Sequence, residues 1–368
     1  MPATASWVKR AGELAATVSR SRPSNWFTPH MAAASRAIAD RLLLVDLILE
    51  IRDARIPLSS EFELLKRLPS SSRRIVVLNK IDLANRMQIK DWMEYFRKQN
   101  CIYFGVDCHN DHNIIQFLRF IQARVAELQK PDPFAAVMLV GIPNVGKSAL
   151  VNALNRLGRI RTEDRGKFRP VVVSQMPGET KNIKSMKIAS NPNIYVLDTP
   201  GVLPPWIPNV ELCFKLVLTG AISEGMIQEK ELAQYFLALL NLSNEYKQWS
   251  EVSCISNDRS SVVDMASTLS ASNVQRRRRC FAVQSQDVVV QRVHRALYMT
   301  ISSLNVNSAN EADFGKLIDA QFLALREAFR LPREANDDDH CETASKLLDL
   351  YRNGMLSNYT LDRIPGIA

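Results

Sequence analysis

No apolar run in this 368-residue chain reaches the roughly 18 to 20 residues that a membrane-crossing helix needs, and the longest candidates are broken by Asp, Glu or Arg. A protein spanned by such helices is thereby excluded. The six cysteines, Cys101, Cys108, Cys213, Cys254, Cys280 and Cys341, include no CxxC pair. This excludes a disulfide framework and a cysteine zinc site, and it points to a reducing compartment. No internal repeat is present. Acidic residues are scarce at the start, where Glu13 stands alone among Lys9, Arg10, Arg20 and Arg22. On a helix Trp7, Val8, Ala11, Leu14, Ala15 and Val18 would share one side. Residues 1–25 therefore admit two readings, an amphipathic transit peptide and a frayed basic tail.

What is present is an ordinary globular composition, 46% hydrophobic and 23% charged, at a length that predicts two or three units. A net charge of +9 and an isoelectric point near 9.3 favour a polyanionic partner, either RNA or an anionic membrane surface. Strand-like runs recur at Leu43–Ile51, Ile75–Leu78, Cys101–Val106, Val137–Val140 and Ile194–Leu197, with helical stretches between several of them. The alternation predicts an α/β domain over about residues 26–205, built on a parallel Rossmann-like sheet with ligand chemistry at the carboxyl ends of its strands. From 206 to 368 the pattern is mainly helical, over Leu212–Leu218, Glu229–Leu240, Val288–Leu304 and Phe314–Phe329. Polar, Ser-rich residues from Ser250 to Asn273 lead into Arg276–Arg279, so a linker is expected near 250–280. The arginine run reads either as a grip on RNA phosphates or as a solvated charged loop.

Gly141-Ile142-Pro143-Asn144-Val145-Gly146-Lys147-Ser148 matches GxxxxGK[ST] between a strand and a helical run, the context that a phosphate-binding P-loop requires. Its glycines let the backbone wrap an anion, so that the amides from Asn144 through Ala149 face phosphate oxygens. Lys147 would bridge the β and γ phosphates, and the Ser148 hydroxyl would bind Mg²⁺. A P-loop kinase or ATPase is the reading to be set against a guanine-specific one.

Asn79-Lys80-Ile81-Asp82 caps a strand and matches NKxD. A carboxylate at Asp82 accepts from both guanine N1–H and the exocyclic amine, and adenine has no such donor pair. GTP and GDP are therefore the expected nucleotides. Asp198-Thr199-Pro200-Gly201 fits DxxG, with Asp198 holding Mg²⁺ through water and the Gly201 amide meeting the γ-phosphate. In Pro177-Gly178-Glu179-Thr180, Thr180 is the candidate for the second hydroxyl on Mg²⁺, with Thr162 as its rival. NKxD ordinarily follows DxxG in the chain. Here it precedes the P-loop and no second copy occurs after Gly201, so the order is circularly permuted.

With these motifs in this order the chain resembles the circularly permuted GTPases of the ribosome biogenesis GTPase A type. It is most similar to the mitochondrial ribosome-associated GTPase 1 branch, including the plant short-integuments members. The resemblance also includes Trp26-Phe27 through His30-Met31 and Asp53-Ala54-Arg55-Ile56-Pro57. It implies a GTPase that assists maturation of the large ribosomal subunit, touching rRNA and ribosomal proteins. It further implies a peripheral place on the matrix side of the inner mitochondrial membrane; the sequence leaves chloroplast open as the alternative. The rival function is a regulatory switch that recruits proteins and binds no RNA.

Val202 stands where classical GTPases carry the glutamine that orients water, so slow intrinsic hydrolysis and activation by a partner are expected. The resemblance offers His30 as the replacement, although Thr28-Pro29 here replaces the Pro-Gly of the related proteins. The base-binding loop, usually near an Asn/Ser-Ala pair, reads Asp107-Cys108.

Overall fold

A computed structural model of the chain describes residues 26–66, 73–128, 134–162, 183–207, 209–243, 246, 272–303, 311–332, 338–356 and 358–365. In chain order the first elements are α1 (Pro29–Leu42), β1 (Leu47–Asp53), α2 (Glu63–Lys66), β2 (Arg74–Asn79), α3 (Arg86–Lys98), β3 (Ile102–Val106) and α4 (Asp111–Glu127). There follow β4 (Phe134–Val140), α5 (Lys147–Thr162), β5 (Lys184–Ser190), β6 (Asn193–Asp198) and α6 (Val210–Leu218). After a 3-10 turn at Glu224–Met226 come α7 (Glu229–Leu242), α8 (Ser272–Ser303), α9 (Glu311–Phe329) and α10 (Asp338–Arg352).

Local chemistry sets many of these boundaries. The Thr28 hydroxyl accepts from Met31 N at the start of α1, and Pro29 occupies the first turn, where its missing N–H is not needed. Asn85, Asn110 and Asn209 cap α3, α4 and α6 in the same manner. The substitution of Thr28-Pro29 for Pro-Gly is thus a helix start.

The six strands form one sheet in the order β3-β2-β1-β4-β6-β5. Five run parallel, and β5 pairs antiparallel with β6 at the edge. That edge strand departs from the all-parallel expectation. Only Ile188 and Ala189 of Lys184–Ser190 are buried, so no apolar run announces it, as is usual where a strand faces solvent. β1 also starts later than its apolar run, because Leu43 and Leu44 are each 76% exposed and lie in the turn before it. On one face Met31, Ala34, Ile38 and Leu42 of α1 pack with Met138, Val140 and Val202. A second cluster joins Ile89, Trp92 and Phe96 of α3 to Val76 and Leu78 of β2.

By its internal contacts the chain divides into a sheet unit, with described residues 26–226 and 358–365, and a helical unit whose described residues lie between 227 and 356. The boundary differs from the expected 205/206. α6 belongs with the sheet unit, and the last described residues return to it, with Asp362 accepting from Lys215 Nζ of α6 at 3.1 Å. In the helical unit, Phe236 of α7 lies 4.6 Å from Tyr351 of α10, centroid to centroid. Gln321 of α9 exchanges hydrogen bonds of 3.0 and 2.8 Å with Asn241 of α7. The expected linker lies outside the described residues up to 271, and from Ser272 the chain is helical. Among the described residues no helix is long and apolar enough to cross a membrane.

Gly158 sets the approach of α5 to β5: a Cβ there would lie 2.0 Å from Ile188 O. Gly158→Ala should therefore destabilise the sheet unit by about 1 to 3 kcal/mol, despite alanine's helix preference of ~1 kcal/mol. Urea denaturation checks this, and an increased midpoint would show that β5 simply yields.

Candidate functional site

The carboxyl ends of β2, β1, β4 and β6 carry the site. β4 runs into the P-loop, whose backbone passes so close to its neighbours that side chains are excluded at two points. A Cβ on Gly141 would sit 2.4 Å from Ile51 O, and one on Gly146, at φ +90°, would sit 2.3 Å from Asn79 Nδ2. Lys147, at the first position of α5, is buried and donates to the carbonyls of Gly141 at 3.1 Å and Ile142 at 2.8 Å. Burial pushes its pKa down to about 8, with Asp198 opposing the change and Lys80 adding to it. Ala149 follows in the first turn of α5.

NKxD ends β2, one strand away from the P-loop strand across β1. Asn79 is buried and donates through Nδ2 to Val145 O at 2.8 Å, and its Oδ1 accepts from Cys108 Sγ at 3.2 Å. Lys80 donates to Asn144 O at 2.6 Å. The NKxD loop and the P-loop are therefore tied directly to each other. Asp82 lies exposed at the rim. Partial burial raises its pKa, and the neighbouring Asp107 charge adds to the rise. The loop at Asp107-Cys108 reaches this rim from β3. His109 N donates to Asp107 Oδ1 at 2.8 Å, and Asp107 N donates to Asn113 Oδ1 at 2.8 Å.

DxxG ends β6 against the same loop. The Thr199 hydroxyl donates to Leu139 O at 2.6 Å, and a Cβ on Gly201 would lie 2.5 Å from Pro143 Cα. Ser148 Oγ donates to Asp198 Oδ2 at 2.9 Å. The other oxygen, Asp198 Oδ1, is buried with no hydrogen-bond partner among the described residues. Burial raises the Asp198 pKa, although Lys147 and the Ser148 hydrogen bond oppose it. An unpartnered buried carboxylate oxygen beside a hydroxyl fits the donor set of a hard divalent cation.

Val202 faces inward, packed in the cluster with Met31 and Ala34 of α1. The Trp26 indole donates to Pro204 O at 3.2 Å, so the segment bearing His30 is tied to the loop after DxxG. His30 itself is exposed in the first turn of α1. Thr180 and the rest of 177–180 lie outside the described residues, as does the side chain of Thr162.

Two residues beside this site escaped the reading of the motifs. Asp53 at the end of β1 lies 3.1 Å from Lys80 Nζ and pairs with Arg55 at 2.8 Å. Their place in Asp53-Ala54-Arg55-Ile56-Pro57, part of the resemblance noted above, was the available signal.

A family model described as 50S ribosome-binding GTPase matches residues 136–313. It begins within β4, so the P-loop and DxxG fall inside the match and NKxD precedes it. DAR GTPase 2, mitochondrial, of Arabidopsis thaliana is 45% identical over 98% of this chain and 96% of its own length. Short integuments 2, mitochondrial, of the same organism is 38% identical over 93% and 89%. Ribosome biogenesis GTPase A of Priestia megaterium is 33% identical over 58% of this chain and 73% of its own length.

The depressed pKa of Lys147 has a consequence for binding. Phosphate favours the ammonium form, so binding raises this pKa. Affinity should be flat below pH about 8 and fall as pH rises above it, by up to about tenfold per unit. Titrating a fluorescent GDP analogue between pH 7 and 9 checks this; Lys147→Met should bind weakly and lose the slope.

Proposed function

The chain belongs to the circularly permuted GTPases of the ribosome biogenesis GTPase A type, and we propose that it uses GTP binding and hydrolysis to assist assembly of the mitochondrial large ribosomal subunit. The observation that carries the reading is the 45% identity to a mitochondrial DAR GTPase over 98% of the chain, with the permuted motifs intact. The name of the bacterial relative speaks of ribosome biogenesis, the matching family model speaks of 50S binding, and a net charge of +9 suits an rRNA partner. We place the protein in the mitochondrion by the names of its relatives, peripherally on the matrix side of the inner membrane.

The chemistry follows from the site. Lys147 stabilises the negative charge of the transferring phosphoryl group, the P-loop amides from Asn144 through Ala149 and the Gly201 amide orient it, and Asp82 selects guanine with Asn79 and Lys80 supporting the loop. Mg²⁺ would be held by Ser148 and Asp198, with Thr180 as the further hydroxyl, and when bound it supplies positive charge at the phosphates. Water adds to the γ-phosphorus as the bond to the GDP oxygen breaks, releasing inorganic phosphate. Nothing at position 202 can orient that water, because Val202 is turned into the core. We assign this role to His30. What supports it is the packing of its neighbour Met31 with Val202 and the bond from Trp26 to Pro204, both of which hold this segment beside DxxG. The subunit acts as activator by ordering that region.

Three measurements test this. GTP turnover should rise at least tenfold when purified immature large subunits are added, and equal rates would undo the activator model. His30→Ala should cut the stimulated rate by about a hundredfold and leave GDP affinity unchanged. Sedimentation with subunits should depend on a GTP analogue and weaken with salt; its absence would favour a switch that recruits proteins alone.

A further inference from the structure

At the carboxyl end of β1 the chain turns through Asp53-Ala54-Arg55, whose charged side chains take no part in the chemistry above. Both are buried, at 1% and 2% exposure. Ions removed from water to this extent are costly unless each is fully engaged, and here the engagement points to the nucleotide loops. Arg55 Nε donates to Asp53 Oδ1 at 3.0 Å and Nη2 donates to Oδ2 at 2.8 Å. The same Oδ2 lies 3.1 Å from Lys80 Nζ. Behind the pair, Arg55 O accepts from Leu361 N at 2.7 Å, and Asp362 accepts from Leu58 N, Ser59 N and Ser59 Oγ. The turn is thus fixed by the chain's last described residues.

Lys80 requires holding. Its φ is +61°, the left-handed region that side chains other than Asn and Asp rarely enter, and such backbone persists only where its surroundings over-determine it. The backbone there is held by Leu83 N donating to Lys80 O at 3.0 Å and Ile81 N donating to Val106 O at 3.3 Å, and the side chain is held by Asp53 Oδ2 on one side and Asn144 O of the P-loop at 2.6 Å on the other. The backbone agrees, since Ala54 N donates to Asn79 O at 2.8 Å. Burial pushes Asp53 toward the neutral form, yet the Arg55 and Lys80 charges reverse this and hold its carboxyl well below the ordinary range. The carboxylate is therefore ionised at all working pH values.

We propose that Asp53 and Arg55 are positioning residues for guanine-nucleotide binding: Asp53 fixes the Lys80 ammonium between the base loop and the phosphate loop, and Arg55 fixes Asp53. The proposal rests on the guanine site described above and gives a role to a fourth strand end, β1, beside those of β2, β4 and β6 that carry the motifs. A buried pair with a merely structural role would affect folding and leave the affinity of the folded protein untouched. Glu50 and Arg52 on the same strand form a cluster with Arg74 of β2, at 3.0 and 2.6 Å, and this cluster supplies that control.

The test is titration of the full chain with a fluorescent GDP analogue, beside thermal unfolding of each variant. Asp53→Asn keeps the shape and removes the charge; it should weaken binding about tenfold, the scale of one hydrogen bond to a charged group. In a Lys80→Ala background the same change should alter affinity by less than about twofold, because its route of action is gone. Glu50→Gln should lower the melting temperature and leave affinity as it was. Unchanged affinity in folded Asp53→Asn, or a full tenfold loss persisting without Lys80, overturns the proposal. If the single change Asp53→Asn prevents folding, combining it with Arg55→Gln removes both buried charges together, and the same two outcomes decide. Failure of the unaltered chain to bind the analogue would instead overturn the guanine site itself.

Discussion

One hydrogen bond, from the Asn79 amide to the carbonyl of Val145 at 2.8 Å, joins the NKxD loop to the P-loop. The two strands that deliver these loops are separated by β1, so their axes lie about 9 to 10 Å apart. A contact between them is possible only above the strand ends, where β1 has already turned away at Asp53. The bond also explains the demand at Gly146, since any side chain there would occupy the position of the Asn79 amide nitrogen. With the two loops bonded to each other, the distance between them is set before any ligand arrives. Less ordering is then required on binding.

Circular permutation is tolerated because this link is spatial. The sheet order β3-β2-β1-β4-β6-β5 puts NKxD two strands from the P-loop, whichever of them comes first in the chain. Parallel strands present all their carboxyl ends on one edge, so a chain can be cut and rejoined in a distant loop without moving the ligands. What permutation changes is the covalent path. The segment after DxxG leads into α6, whose C-terminal end is held by the β1 turn and the P-loop: Arg55 Nη2 and Asn144 Nδ2 donate to Thr219 O and Gly220 O at 3.4 and 2.7 Å.

Much of this was legible in the sequence, for reasons that differ between elements. Buried parallel strands such as Arg74–Asn79 show as unbroken apolar runs, and the P-loop, NKxD and DxxG show because their chemistry tolerates few substitutes. β5 was hidden because its Lys184, Ser185, Lys187 and Ser190 interrupt any apolar run, as suits an edge strand. The reach of α8 back to Ser272 was hidden by a run of arginines that reads as loop. Asp53 and Arg55 were visible as letters, yet their part was not, since it arises from a φ of +61° at Lys80 that no spacing rule encodes. Thr28-Pro29 looked like damage to a motif, and only the cap on Met31 N reveals it as the start of α1.

The charges at this edge follow one arrangement. Three cations, Lys147, Lys80 and Arg55, crowd a region that will receive a polyanion. If all were free, the ligand-free sheet unit would carry strong self-repulsion; if all were paired, none would answer a phosphate. Asp53 takes two of them, Arg55 and Lys80, at 2.8 and 3.1 Å. Lys147 instead rests on two carbonyls of its own loop, neutral acceptors that yield readily to a charged oxygen. Asp198 complements this, with one oxygen on Ser148 and the other unpartnered among the described residues. The site thus separates a paired scaffold at the β1 and β2 ends from two responsive groups at the β4 and β6 ends. On the function proposed above, nucleotide phosphates would address the second set, while base recognition would depend on the first staying as it is.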